Sequence, residues 1–87
     1  MSVDRQRIDK WLWHARIVRT RSAAASLAVS GHVRLNGVRV AAPSREVKCG
    51  DVVTIVLDGG VRVLKVCGFA LRRGDATAAL RLYETLG

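Results

Sequence analysis

Acidic side chains are scarce in this sequence: seven Asp and Glu stand against 15 Lys and Arg in 87 residues, for a net charge of +8. In so short a chain that excess makes a strong positive field and asks for an anionic partner. Long apolar runs are also missing. No stretch approaches the ~18 residues of a membrane span and no secretory segment follows the N-terminus, so the expectation is a cytoplasmic protein with no membrane partner. The two cysteines, Cys49 and Cys67, lack the close pairing of a zinc or redox motif and read as reduced thiols. His14 and His32 have no Cys, His or carboxylate neighbours at ligand spacing, so neither a metal nor another cofactor is expected.

Catalytic machinery is absent from the pattern as well. Ser22, Ser26, Ser30 and Ser44 have no recognisable base and orienting acid, and neither a nucleophile elbow nor a phosphate loop occurs. Asp9 reads as a helix cap, and Asp51, Asp58 and Asp75 fall at turns. The sequence therefore predicts a protein that is not an enzyme. No internal repeat or low-complexity linker is visible. Hydrophobic residues make up 49% and charged residues 25%, ordinary globular usage, so the chain is expected to fold as a single domain, 1–87, with one modest core.

The positive charge that is present is unevenly placed. Residues 1–50 hold ten basic and three acidic side chains, or +7, whereas residues 51–87 hold five and four, or +1. Clustering of this kind favours a binding face over a surface charged only for solubility.

"IDKWLWHARIV" opens on Asp9 as a helix N-cap and sets Ile8, Trp11, Leu12, Ala15 and Val18 on one buried stripe. Lys10, Arg16 and Arg19 project around it. Thr20 caps a second helix, "RSAAASLAVS", that stops at Gly31 and presents Ala23, Ala24, Ala25, Ala28 and Leu27 for close packing on the first. After Gly31 the period switches to two. "HVRLNGVRV" alternates about Asn36-Gly37, the strongest short hairpin signal, with Val33, Leu35, Val38 and Val40 on the apolar side and His32, Arg34 and Arg39 on the solvent side. "AAPSREVKCGD" reads as a loop. "VVTIVL" and "VRVLKVCGFAL", separated by "DGG", form a second hairpin, and Asp75 with Ala78, Ala79, Leu82 and Leu86 suits a short terminal helix. The fold class is thus α+β: two N-terminal helices on a small, mostly antiparallel sheet, with a short C-terminal helix.

Phosphate neutralisation needs cations on a rigid base, and the planar guanidinium of arginine grips phosphate bidentately or stacks on an unpaired base. Arg7, Lys10, Arg16, Arg19, Arg21, Arg34, Arg39 and Arg45 all fall on the two helices, the hairpin or their edges. Arg21 stands out, because first-turn amides and the helix dipole join it around one phosphate. Trp11 belongs to the core stripe. Trp13 points elsewhere, either to pack under the sheet or terminal helix or to stack on a base.

In order along the chain, R-x-D-x-W-L, T-R with an alanine-rich helix, G-x-V-x-x-N-G, P-S and G-D resemble the S4 domain, the RNA-binding domain with an αL motif named after the fourth small-subunit ribosomal protein. The resemblance covers residues 7–53, leaving 54–87 to complete the sheet and add the C-terminal helix. "DKWLWHAR", "TR", "RR", "AAL" and "LYE" further resemble the bacterial fifteen-kilodalton heat-shock protein family over the whole chain. For that family the resemblance implies ribosome association: binding of ribosomal RNA on free large subunits that still hold a nascent chain on tRNA, in the rescue of stalled translation after heat stress. Carried over by position, it implies RNA contacts from Arg7 and Lys10, from Arg19, Thr20 and Arg21, and from Arg34, Asn36 and Arg39, to which the charge pattern adds Arg16. Longer members carry a basic C-terminal tail beyond the "LYE" segment, and this sequence ends at Gly87. A monomer is expected. The rival readings are a targeting module related to RNA-modifying enzymes of the pseudouridine synthase type, a generic nucleic-acid binder equally content with DNA, and a domain whose basic face meets an acidic protein.

Overall fold

A computed structural model describes residues 4–87. Strand β1 (Arg5–Arg7) runs directly into helix α1 (Ile8–His14). Ile8, Trp11, Leu12 and Ala15 lie at most 2% exposed, the buried stripe that three- and four-residue spacing requires. Asp9, expected to cap this helix, lies inside its first turn instead. The cap position belongs to Arg7 in extended backbone, and no side chain caps the helix. The amides of Ile8 and Asp9 donate to the carbonyls of Arg45 and Pro43, at 2.7 and 3.3 Å, so a distant loop satisfies donors a helix start leaves free.

Helix α1 ends in a Schellman motif. The Arg16 amide donates to the Trp13 carbonyl at 3.0 Å and the Ile17 amide to the Leu12 carbonyl at 3.1 Å. Arg16 itself takes a left-handed φ of 59°, where glycine is usual and an L side chain costs roughly 1–2 kcal/mol. The helix therefore stops before Val18, which stays half-buried outside it. Helix α2 (Arg21–Val29) follows its expected limits: the Thr20 hydroxyl accepts from the Ala23 amide at 3.0 Å, and Gly31 turns the chain out at φ +90°. Ala24 and Ala28 are fully buried, and their small side chains let α2 approach α1 closely.

Strands β2 (Val33–Leu35), β3 (Val38–Arg39), β5 (Val52–Leu57), β6 (Gly60–Val66) and β7 (Tyr83–Thr85) form a five-stranded antiparallel sheet in the order β3-β2-β5-β6-β7. Asn36 and Gly37 take φ of 50° and 83°, the left-handed pair that a type I′ turn needs. Val33, Leu35, Val53, Ile55 and Leu64 form the buried face, in one core with Ile8, Trp11, Leu12 and Ala28. The α+β architecture, with two N-terminal helices on an antiparallel sheet and a short C-terminal helix, is the one the sequence predicts. Val38 departs from expectation. It pairs with buried Leu35 but is 67% exposed, because β3 is the edge strand and nothing covers its outer side.

Two pairings were not expected. The stretch read as a loop contains β4 (Glu46–Lys48), which pairs with β1 in a separate two-stranded ribbon and buries Val47. In the tail, the Asp75 carboxylate caps α3 (Ala76–Ala79) through the Ala78 amide at 2.8 Å, but this helix is only four residues long. A single 3-10 turn (Leu80–Leu82) leads into β7, leaving Leu86 51% exposed beyond the helix that its spacing had suggested. Pairing along the free edge of β6 prevails over one more helical turn, since β7 and the residues after it bond to that strand, with the Leu86 amide 2.8 Å from the Val63 carbonyl.

Trp11 is completely buried and its indole N–H donates to the Gly68 carbonyl at 3.2 Å, whereas Trp13 is half-buried. Trp11→Ala should therefore lower stability by about 3–5 kcal/mol in urea unfolding, and Trp13→Ala by clearly less. Equal losses would contradict the assignment of Trp11 alone to the core.

Candidate nucleic-acid interface

The first turn of α1 holds a carboxylate, Asp9, that is only 3% exposed. A buried charge must be paired and hydrogen-bonded, and this one is. Arg7 grips it with two nitrogens, Nε to Oδ1 at 3.1 Å and Nη2 to Oδ2 at 3.0 Å. The Lys10 amide donates to Oδ1 at 2.8 Å, and Arg21 Nη2 reaches the same oxygen from α2 at 3.4 Å. Two of the arginines predicted to contact RNA are thus held side by side by one acid, while their side chains remain about half exposed, 51% and 42%. Arg21 Nε is buried and has no acceptor. Lys10, the next residue after Asp9, is partly exposed.

Arg16 and Arg19 are exposed on the connection between the helices, and Arg16 Nη1 donates to the Gly74 carbonyl at 2.9 Å. Thr20 spends its hydroxyl on the α2 cap. Arg34 and Arg39 are direct partners across β2 and β3, with both side chains exposed. Like charges in that position destabilise a sheet. By alternation both arginines leave the strands on the face turned away from the buried side that carries Val33 and Leu35. Arg39 forms the link between hairpin and helices: its guanidinium lies against Gly31 at the end of α2, where an added Cβ would come within 2.8 Å of Nη2.

The Asn36 side chain bonds through both ends of its amide. Its carbonyl oxygen accepts from the Val52 amide at 2.8 Å and its amide group donates to Asp51 Oδ1 at 3.1 Å, so it ties the hairpin tip to the start of β5. Among the described residues, Lys10, Arg16, Arg19, Arg34, Arg39, Arg45 and Lys48 have no carboxylate within 4 Å, since the ion pairs involve only Arg5, Arg7 and Arg21.

Sequence reasoning missed two supports of this region. Asp9 is the pairing centre rather than a cap, and the signal was the R-x-D spacing itself, which places a guanidinium beside a first-turn acid. Arg73 donates to the Trp13 carbonyl at 3.1 Å and to the Val18 carbonyl at 3.4 Å, and its guanidinium lies 5.6 Å from the Trp13 ring centroid. That cation–π contact occupies one face of the ring considered above for base stacking. No nearby pattern in the sequence announces it.

An S4 domain family model matches residues 6–53, over half of the chain and across both helices, the Asn36-Gly37 hairpin and the β1–β4 ribbon. A heat shock protein 15 homolog of Aeromonas salmonicida is 36% identical over 78 residues, 90% of this chain and 58% of that protein. The trimeric structure of Vibrio cholerae heat shock protein 15 superposes with a TM-score of 0.86 at 34% identity, covering 94% of this chain and 82% of that one. The chain belongs to the heat shock protein 15 family of S4 domain proteins. Small ribosomal subunit protein uS4 of Methylobacterium radiotolerans is 42% identical over 50 residues, 58% of this chain and 24% of that protein. The chain spans 58% of the length of the curated heat shock protein 15 relatives it matches. Among the described residues, no helix is long and apolar enough to cross a membrane.

His14 lies beneath this region, 1% exposed, its ring 5.3 Å from that of Trp13 and its Nδ1 without a partner. Burial, and after it the positive charges of Lys10, Arg21 and Arg73, hold it below its ordinary pKa of 6.5, partly offset by the backbone of Ala70. A histidine depressed in the folded state binds fewer protons there than when unfolded, so its contribution to stability is fully present above the ordinary value and is lost as pH falls from there through the depressed folded value. The urea midpoint should decline between about pH 7.5 and 5.5 in the native chain, and decline less in His14→Gln. A midpoint that rises on acidification would contradict this environment for His14.

Proposed function

We propose that this chain is a noncatalytic RNA-binding protein of the cytoplasm whose target is ribosomal RNA of the large ribosomal subunit, in the recycling or rescue of stalled nascent-chain complexes under heat stress. One observation carries the reading. Arg7 and Arg21 are fixed together on Asp9 with their outer edges open, and Arg21 keeps a buried N–H without an acceptor. The exposed N–H groups of the two guanidinium forks can grip phosphate oxygens, at a helix start whose dipole favours an anion. Lys10, Arg16 and Arg19 extend that charge along the backbone of an RNA, and Arg34 and Arg39 meet it on the hairpin. Thr20 and Asn36 act indirectly, by fixing α2 and the hairpin tip. The likeness to small ribosomal subunit protein uS4 supports the ribosomal setting and that to heat shock protein 15 the heat-stress one, and tRNA on the same particle is a second RNA within reach. The monomer expected for this chain is to be weighed by sedimentation against the trimer of the Vibrio cholerae relative.

Cosedimentation with isolated large subunits, small subunits and intact ribosomes tests the reading. Selective binding to the large subunit is expected, with Arg21→Ala losing more than Arg62→Ala, whose arginine is occupied by Tyr83. If about five phosphates are neutralised, affinity should fall with salt along a logarithmic slope of about −3.5. Equal binding to every particle, matched by DNA competition, would reduce the chain to a generic basic module.

A further inference from the structure

Val38, 67% exposed on the edge strand, is an apolar side chain that nothing in the fold covers. It forms part of a notch of about 170 Å³ between the edge strand β3 and the loop that enters β4, lined by Leu35, Val38, Arg39, Val40, Ala41 and Arg45. A cavity of about 150 Å³ admits a benzene ring, so this volume suits one planar ring and little more. The walls are aliphatic, with two arginines among them. Arg45 also lines the adjoining, polar recess of about 330 Å³, where Arg5, Ser44, Glu46 and Lys48 complete the wall. Neither Arg39 nor Arg45 has a carboxylate within 4 Å among the described residues. An apolar slot for a flat ring beside unpaired cations matches the two halves of a nucleotide, and an arginine at its rim can also stack its guanidinium plane on an unpaired base.

We propose that the Val38 notch holds one unpaired RNA base, with Arg39 and Arg45 meeting the phosphates on either side of it. The inference rests on the RNA-binding reading and adds to it a preference for single-stranded over fully paired RNA at the hairpin end of the surface. It also accounts for a β-branched side chain left open on an edge strand, which without an occupant or flanking charge invites aggregation.

The test is fluorescence anisotropy with two RNAs of equal phosphate number, one single-stranded and one fully paired, on the native chain, Val38→Ser, Val38→Ile and Arg45→Ala. Val38→Ser should weaken single-strand binding about fivefold, the scale of losing one or two buried methyl contacts. Its duplex binding and its salt slope should stay unchanged, and Val38→Ile, which adds a methylene to a notch that holds one ring, should also weaken single-strand binding alone. Arg45→Ala should weaken both RNAs and flatten the salt dependence. Val38→Ser binding the single strand normally, or losing equally on both RNAs, would overturn the proposal. A change in its sedimentation with RNA binding intact would do the same and assign the notch to contact between copies. Failure of the native chain to bind either RNA would instead overturn the RNA-binding reading, and this inference with it.

Discussion

A buried carboxylate organises the basic end of this molecule. Asp9 is 3% exposed, and such a charge persists inside a protein only where partners repay its lost hydration. Here the partners come from three places: Arg7 at the end of β1, the Lys10 amide in α1 and Arg21 at the start of α2. One acid thereby fixes how two helices and a strand meet, and which way two guanidinium groups face. The chain's net charge of +8 gives attraction at a distance, but the geometry at this end depends on one of its seven acids.

Around that centre the fold tolerates arrangements that stability alone would avoid. Arg34 faces Arg39 across a strand pair, Arg16 occupies a left-handed position, and Arg21 keeps a buried N–H without an acceptor. Each costs free energy, and together they fall on the elements that carry the free cations. The core that offsets them is continuous, from Ile8, Trp11 and Leu12 through Val33, Val53, Ile55 and Leu64 to Leu82. Asn36 adds a polar tie, bonding to Val52 and Asp51 so that the hairpin carrying Arg34 and Arg39 is held at its tip as well as along its strands.

What was legible in the sequence was local. The Thr20 cap, the Gly31 exit and the Asn36-Gly37 turn each depend on residues within a few positions of one another, and each is where the sequence places it. The β1–β4 ribbon and β7 were not legible, because strands of three residues leave too little alternation to read and their partners lie far along the chain. Asp9 was misread for a related reason: a first-turn acid looks like a cap until the loop carbonyls that serve the helix start, and the arginine twelve positions on, are brought beside it. Val38 follows the alternation correctly and still ends exposed, since alternation fixes which side a residue faces and not whether anything covers it.

The most direct measurement of the account is the RNA affinity of Asp9→Asn, taken where circular dichroism shows the fold retained. The substitution raises the formal positive charge by one, so a surface that acts by its field alone should bind RNA more tightly. If Asp9 instead holds Arg7 and Arg21 in place for phosphate, affinity should fall, by about tenfold for the loss of one well-oriented charged contact. Affinity equal to or above that of the native chain would contradict the account.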